Sequence, residues 1–212
     1  MMTNINQTVW KLIAQDASIN TALRRGLLNT RSLALYLIKK HHLDTSLDAV
    51  ISAIRRYPVE KELSEQEDTL AGIFKNAVIF TKSSMACITL EADAIRALIA
   101  SFGENGRKNF RLIRGKKYAK VIVHEGDLDG FLKQFKKTEV ITTKSGLGEV
   151  RIVLPQDAEN VRGILARLTS EIALHEISIS ELIICMPEML VYVDQKDLLK
   201  THHAVLSLQE NR

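Results

Sequence analysis

The chain has 212 residues, and 46% of them are hydrophobic, so it can bury one large core or two small ones. The amino terminus, MMTNINQTVW, lacks the layout of a signal peptide, and no apolar run approaches the roughly 20 residues that span a bilayer. These features argue against a disordered or membrane-bound chain and predict a cytoplasmic protein. The net charge of +4 arises within residues 1–62, which hold nine Lys or Arg against five Asp or Glu.

The first 58 residues have the spacing of short helices. Trp10, Ile13 and Ala14 share one face of a first helix. Three further helices are predicted: a second over Ser18–Arg25 that stops at Gly26, a third capped by Asn29 or Thr30 that runs to about Lys40, and a fourth capped by Thr45 or Ser46 that ends before Pro58.

The second and third helices resemble a helix-turn-helix, because Ile19–Leu37 reads as helix, glycine-containing turn and helix. The six residues Leu33–Ile38 are apolar in succession, which predicts that the third helix is largely buried. DNA contact is therefore kept as an alternative. Its candidate residues are Arg24, Arg25, Arg31, Lys39 and Lys40.

The polar stretch EKELSEQED at residues 60–68 is interpreted as a boundary between domains, within a linker over 59–75, although a solvated helix fits it equally. From Asn76 onward a βαββα pattern occurs twice and predicts an α+β sandwich. The first round begins with strands at 77–81 and 85–90 around a turn at 82–84. A helix follows, with Ile95, Leu98, Ile99 and Phe102 on one face, and then strands at 109–115 and 118–124. The round ends with a helix that has Leu128, Phe131, Leu132 and Phe135 on one face, and a strand at 140–143.

The second round begins with EVRIVL at 149–154, in which Val150, Ile152 and Leu154 alternate with residues expected to be exposed. It continues with a helix whose apolar face holds Val161, Ile164, Leu165, Leu168 and Ile172, strands at 177–184 and 189–193, and a last helix with Leu198, His202 and Val205 on one side.

The segment from Gly163 to Ile179, GILARLTSEIALHEISI, resembles the ACT-domain pattern of a glycine, an amphipathic helix and a strand. AVIFTKSSMACITL is similar to the junction in the aspartokinase regulatory region. The resemblance implies tandem ferredoxin-like βαββαβ (ACT) sandwiches, preceded by a small all-α helical domain. The implied domains are a helical domain at 1–58, a linker at 59–75 and a tandem ACT region at 76–212, in which 83–146 form the first unit and 77–82 with 147–208 form the second.

The resemblance also implies a ligand site at the start of the helix that Gly163 opens, because a helix amino terminus attracts a carboxylate. Arg162 and Glu176 depart from the family pattern, and Asp157 with Glu159 add negative charge. The loop of the first unit, Glu91–Asp93, contains no glycine and is expected to serve only as sheet and interface. The candidate ligand-binding residues are Gln156, Asp157, Asn160, Arg162, Gly163 and Ser178.

No other group of residues has the spacing of a metal site or a catalytic motif. The six histidines lack metal-ligand spacing, and there is neither a P-loop nor a nucleophile elbow, so we predict no enzyme activity, no cofactor and no metal. Cys87 and Cys185 are interpreted as small buried residues. A basic cluster is interpreted as a guard against edge-to-edge pairing, with an acidic partner as the alternative; it comprises Arg107, Lys108, Arg111, Arg114, Lys116, Lys117 and Lys120.

The sequence therefore predicts a regulatory protein that binds an amino acid or similar metabolite and forms a homodimer through its sheets. Two alternatives remain open. One is a DNA-binding transcription regulator that uses the helical head, and the other is a scaffold that only dimerises. The regulator's signal is expected to pass through the helical head to DNA or a partner protein.

Overall fold

The computed structural model describes residues 4–58, 63–96, 98 and 110–210, except the side chains of Arg24 and of residues 63–67. It divides into two compact units, Met1–Glu67 and Asp68–Arg212. Several predicted features lie outside the described residues: Ile99 and Phe102 of the first apolar stripe, Arg107 and Lys108 of the basic cluster, and residues 59–62 of the linker.

The described part of the first unit is helical, and local signals mark where its helices begin. The side chains of Asn4, Asp16, Asn29 and Ser46 each accept a backbone N–H in the first turn that follows them. Gly26 stands after the second helix with a left-handed φ of 68°. The helices are α1 (Ile5–Gln15), α2 (Ala17–Arg24), α3 (Thr30–His41) and α4 (Leu47–Arg55).

The core of this unit differs in detail from the predicted faces. Ile13 is buried as predicted, whereas Ala14 is exposed and Val9 completes the buried face of α1. Trp10 is half-buried, and its indole N–H donates to the carbonyl of Ala53 at 2.8 Å. The rest of the buried cluster is Leu33, Ala34, Leu37, Val50, Ala53 and Ile54.

Helix α5 (Leu63–Lys75) occupies most of the segment that the sequence assigned to a linker. Ile73 and Phe74 are 5% and 2% exposed, and they join the core of the second unit. The segment is helical and not a linker because the apolar residues near its end are buried, although its start is polar.

The second unit is an α+β structure built on one antiparallel sheet. In the described residues the sheet has the strand order β2-β3-β1-β4-β6-β5. Its strands are β1 (Val78–Glu91), β2 (Arg111–Arg114), β3 (Tyr118–His124), β4 (Val140–Val153), β5 (Ile179–Cys185) and β6 (Glu188–Asp194), and its helices after α5 are α6 (Leu128–Leu132), α7 (Ile164–Leu174) and α8 (Leu198–Glu210).

Strands β1 and β4 are each continuous over 14 residues. The sequence predicted two short strands in place of each: 77–81 and 85–90 around a turn at 82–84 for β1, and 140–143 and 149–154 for β4. The chain absorbs the irregularity as a shift of register between Lys82 and Met85, with Ser84 at φ 58° and Gly146 at φ 69° in the left-handed region. Val78–Lys82 pairs with Glu149–Val153, so the early stretch does lie beside the first strand of the second repeat.

The sheet folds over on itself. Arg111 on β2 and Glu149 on β4 are three strand positions apart, or roughly 14 Å in a flat sheet, yet an Arg111 nitrogen lies 2.8 Å from a Glu149 oxygen. Lys120 on β3 likewise contacts Glu181 on β5, four positions away. The two ends of the sheet must therefore face each other.

We call the two parts the first half-sheet (β2, β3, Met85–Glu91 and Val140–Lys144) and the second half-sheet (β5, β6, Val78–Lys82 and Leu147–Val153). Their inner faces pack on one another. The buried cluster between them consists of Met85, Cys87, Ile122, Leu147, Leu190 and Tyr192.

Helices cover the outer faces. Ile164, Leu168 and Ile172 of α7 are buried against the second half-sheet, while Leu165 and Val161 of the predicted stripe are more exposed. Phe131 and Phe135 pack with Ala86, Ile88 and Leu90 on the first half-sheet. On α8, Leu198 and Val205 are buried and His202 is half-buried, close to the prediction.

Cys87 is buried as predicted, but Cys185 is exposed because it ends the edge strand β5. None of the described helices has both the length and the apolar character needed to cross a bilayer.

Candidate functional site

The predicted ligand loop joins β4 to α7. Pro155 is followed by a 3-10 turn, Gln156–Asn160, whose Ala158 is only 1% exposed and anchors the loop to the core. Gln156, Asp157, Asn160 and Arg162 are exposed around that anchor. The loop is therefore a fixed backbone that presents polar side chains to solvent.

Gly163 stands at the amino terminus of α7, as predicted, with a left-handed φ of 89°. Among the described residues no side chain caps this terminus. The first-turn N–H groups of a helix lack intrahelical partners and carry partial positive charge, so this end of α7 can accept a carboxylate.

Ser178 is exposed and lies just before β5. Two residues earlier, Glu176 has a φ of 56°, the left-handed conformation that favours the glycine common in the resembled pattern. Glu176 therefore holds the backbone conformation that a glycine would adopt readily. In the first round, by contrast, Asp93 of the short loop pairs with Arg96 and Arg114 at 3.4 and 3.7 Å.

The candidate DNA-binding residues lie on the first unit. Arg25, Arg31, Lys39 and Lys40 are exposed, and the Arg24 side chain lies outside the described residues. The predicted burial of Leu33–Ile38 is only partial, because Leu35 and Tyr36 are 52% and 46% exposed.

Lys40 interacts within its own unit. Its ammonium donates to the Tyr36 hydroxyl at 2.7 Å and lies 3.6 Å from an Asp16 oxygen. The hydrogen bond to Tyr36 raises the pKa of Lys40, and the backbone N–H of Ile19 holds the pKa of Asp16 below its usual value. These contacts leave Arg31 and Lys39 as the better placed cations on α3.

A buried charged cluster lies between the two half-sheets, and the sequence did not indicate it. The Arg111 guanidinium donates to both oxygens of Glu149, at 2.8 and 3.0 Å, and the Tyr192 hydroxyl donates to the same carboxylate at 2.6 Å. Burial, followed by the hydrogen bond to Glu149, raises the pKa of Tyr192. The cluster fastens one half-sheet to the other.

Glu149 is only 4% exposed, although the strand alternation predicted an outward position. The alternation itself holds, since Val150 and Ile152 face the helices. The second face is also covered because the sheet folds over. An acidic residue and a basic residue on distant strands are the only signal in the sequence, and that signal does not identify the pair.

A cavity of about 520 Å³ opens beside this cluster. Phe80 is paired with Arg151, and Lys82 with Glu149, across β1 and β4, so these four side chains occupy neighbouring positions on one face. The guanidinium carbon of Arg151 lies 4.4 Å from the centre of the Phe80 ring. The cavity is lined by Phe80, Thr81, Lys82, Phe110, Arg111, Glu149 and Arg151, and thus by none of the predicted ligand residues.

Within the described residues, no three His, Cys, Asp or Glu side chains form a group able to hold a metal ion. Burial raises the pKa of the Cys87 thiol, which keeps it in the weakly nucleophilic neutral form.

No family model matches the sequence, and no curated protein matches it significantly. Solved structures share the fold of about three fifths of the chain. The ligand-free regulatory subunit of aspartate kinase from Thermus thermophilus aligns with 61% of this chain and 95% of its own, with a TM-score of 0.52 and 14% identity.

Aspartate kinase from Clostridium acetobutylicum aligns over 61% of this chain and 33% of its own, with a TM-score of 0.52 and 14% identity. Aspartokinase III from E. coli, in complex with aspartate and ADP, aligns over 63% of this chain and 33% of its own, with a TM-score of 0.50 and 12% identity. The chain therefore spans about a third of each of these two enzymes. The likeness shows that this part of the chain shares the ACT-like fold of these structures, and the helix-turn-helix interpretation stays a prediction.

Proposed function

We propose that the protein is a non-enzymatic regulator that senses a small ligand, an amino acid or a close relative, through its second unit. The observation that carries the proposal is the fold, because the chain covers 95% of a solved regulatory subunit of aspartate kinase. The solved subunit is regulatory by its own description, and an equivalent role is transferred to this chain as part of the proposal.

Within the second unit, we propose further that each half-sheet with its helices is one βαββαβ (ACT) repeat. Residues 83–146 form the first ACT repeat, and 77–82 with 147–208 form the second ACT repeat. The pairing of Val78–Lys82 with Glu149–Val153 supports this division, since it supplies the second ACT repeat with a fourth strand.

The ligand site is proposed at the loop before α7. The ligand's carboxylate would meet the uncapped helix terminus at Gly163, and Gln156, Asn160, Arg162 and Ser178 would supply polar contacts. Asp157 and Glu159 are exposed carboxylates next to that terminus, and they suit the ammonium group that every free amino acid carries.

A thermal-shift screen of the free amino acids tests this site. A ligand that binds only the folded chain stabilises it by about 2.7 kcal/mol at 100 times its Kd, so one amino acid should raise the Tm of the wild type. Gly163→Ala should abolish the shift, because alanine does not readily hold the left-handed backbone.

Gly26→Ala is the matched control, since Gly26 is also left-handed but lies in the first unit. It should lower the Tm and keep the ligand shift. A screen in which no amino acid moves the wild-type Tm contradicts the proposal.

A homodimer formed through the sheets is part of the same proposal, with the edge strand β5 as the available pairing surface. Light scattering should report twice the chain mass. A dimer together with a blank ligand screen would instead favour the scaffold alternative.

DNA binding is a second candidate function, favoured by the exposed outer face of α3. Arg31, Leu35 and Lys39 follow one another at four-residue spacing on α3, and all three are exposed. Binding to duplex DNA should weaken as salt rises. It should be reduced in Arg31→Gln/Lys39→Gln but not in Lys11→Gln on α1, and no binding at low salt would contradict it.

A further inference from the structure

We propose that the cavity beside the Arg111–Glu149–Tyr192 cluster is a second ligand site, which takes a small organic anion: a carboxylate or phosphate group attached to a flat ring. This site is separate from the loop before α7 and does not depend on the function proposed for that loop. The charges, the rings and the way the fold assembles the cavity wall each support it.

The charges around the cavity do not balance. Lys82, Arg111 and Arg151 are cationic, and Glu149 is the acidic residue of the lining. Glu149 already accepts both donor groups of Arg111 and the hydroxyl of Tyr192. Arg111 is therefore neutralised by its partner, whereas Lys82 and Arg151 pair with no carboxylate of the described part of the chain.

The two uncompensated cations lie close together. Lys82 lies opposite Glu149 and Arg151 lies opposite Phe80. Lys82 and Arg151 are therefore diagonal neighbours on the same face of β1 and β4. Two positive charges that line one cavity repel each other, and an anion between them removes the repulsion and gains charge-assisted hydrogen bonds.

The remaining lining favours a ring on the ligand. Phe80 is 46% exposed although it lies on the face of the sheet that is otherwise packed. Phe110, the residue before β2, is half-buried and its ring packs on Phe131 with 5.5 Å between centres, so Phe80 is the open ring of the lining. The Arg151 guanidinium is stacked on Phe80 and not turned into solvent. A volume of about 520 Å³ lies within the roughly 300–1,000 Å³ of ordinary small-molecule sites, so a bare phosphate ion would leave most of the cavity empty.

The cavity wall is preorganised. Phe110 and Arg111 come from the edge of the first half-sheet, and the other lining residues come from the second. The ion pair between Arg111 and Glu149 fixes this arrangement before any ligand arrives, so little conformational freedom is lost on binding.

Titration calorimetry of the full chain with four probes tests the site: benzoate, phenyl phosphate, inorganic phosphate and benzyl alcohol. Benzoate or phenyl phosphate should bind, and the tighter of the two identifies the anionic group. Inorganic phosphate should bind at least about tenfold more weakly for lack of ring contacts, and benzyl alcohol should give no heat because it lacks charge.

Arg151→Gln should weaken the binding of the better probe by about tenfold or more, since one charge-assisted contact is lost. Arg55→Gln, which removes an exposed arginine in the first unit, is the matched control and should leave binding unchanged. Lys82→Gln is the second test variant. Lys82 is exposed, so its loss should weaken binding without disturbing the core.

Gly163→Ala should bind the probes as the wild type does, which separates this site from the loop before α7. The proposal is overturned if neither ring-bearing anion binds, if inorganic phosphate binds equally well, or if Arg151→Gln and Lys82→Gln both bind like the wild type.

Discussion

Glu149 is a carboxylate enclosed between two packed half-sheets, and donors from two other strands satisfy it. Both of its oxygens accept from Arg111, and one also accepts from Tyr192. A buried ion pair of this kind adds little stability over an apolar pair, but the loss of one partner leaves an uncompensated charge. At the scale of single residues, Arg111 and Tyr192 are therefore the positions at which substitution is most informative.

Replacing Arg111 with leucine should destabilise the chain by roughly 3 kcal/mol, because Glu149 is left buried without a cation. The triple change Arg111→Leu/Glu149→Leu/Tyr192→Phe should recover most of that loss, since it removes the buried carboxylate together with the hydroxyl that would otherwise lose its acceptor. Urea unfolding measures both. Arg114→Leu on the same strand is the control: its partner Asp93 is 80% exposed, so less than about 1 kcal/mol should be lost. Equal losses at the two arginines would contradict the burial argument.

Tyr192 should make stability fall at alkaline pH. Its raised pKa means that the folded chain keeps the hydroxyl proton above the ordinary value of 10.0, whereas the unfolded chain releases it there. The unfolded state then binds fewer protons, so this contribution to the free energy of unfolding is complete below pH 10 and is lost as pH rises beyond it. Denaturant unfolding between pH 9 and 11.5 should show a shallower decline in Tyr192→Phe than in the wild type.

Tyr118→Phe provides the comparison, since Tyr118 is 45% exposed. Its alkaline decline should match that of the wild type. If Tyr192→Phe and Tyr118→Phe have the same slope, burial of the Tyr192 hydroxyl does not determine the pH response.

Strand β4 and helix α8 approach each other closely at Gly148. A Cβ atom built on Gly148 would lie 2.9 Å from Leu198 Cβ, which is closer than real side chains come. The absence of a side chain here lets the first turn of α8 sit directly on the strand. At the scale of elements, this contact determines how the last helix packs on the second half-sheet.

Gly148→Ala should therefore cost about 1–3 kcal/mol, because the backbone of one element must move. Thermal unfolding measures the change. Gly130→Ala on α6 is the matched control, since its added Cβ meets nothing within 4 Å and alanine favours a helix by up to about 1 kcal/mol. A loss at Gly130 as large as that at Gly148 would show that the close contact is not the cause.

Where the second unit begins along the chain is decided by long-range packing and not by local sequence. Helix α5 begins as a polar segment that the sequence assigned to a linker, yet Phe74 near its end is 2% exposed in the core of the sheet unit. The composition of 59–75 does not reveal this, because residues 60–69 are polar or charged apart from Leu63, and the apolar residues gather at 70–74. The part of the helix from Asp68 onward thus belongs by its contacts to the unit that follows it.

Phe74→Ala should lower the stability of the second unit by roughly 3–5 kcal/mol. The transition followed by the fluorescence of Trp10, the single tryptophan, reports on the first unit and should stay in place. The strands lie in the second unit, so the midpoint of the unfolding transition followed by their circular dichroism should move to a lower denaturant concentration. Lys75→Ala, which removes an exposed side chain, should move neither; a shift of both transitions by Phe74→Ala would argue against this assignment.

Local features were predictable to the extent that neighbouring residues determine them. Asn29 and Ser46 cap α3 and α4, and Gly26 and Gly163 take the left-handed conformation at helix ends, because each acts on a backbone only a few residues away. The predicted turn at 82–84 became a shift of register inside one long strand, since pairing with β4 on one side holds both parts in the same sheet.

The sequence by itself indicated most of the helices and strands, the alternation along the strands and the loop that Gly163 closes, since these depend on residues near one another in the chain; it did not indicate helix α5 or the continuity of β1 and β4. The tertiary structure alone decided which strand faces meet. The contacts of Arg111 and Tyr192 with Glu149 span 38 and 43 residues, and they exist only because the sheet folds over. That folding buries a charge and encloses a basic cavity, and neither can be read from local pattern because both depend on long-range packing.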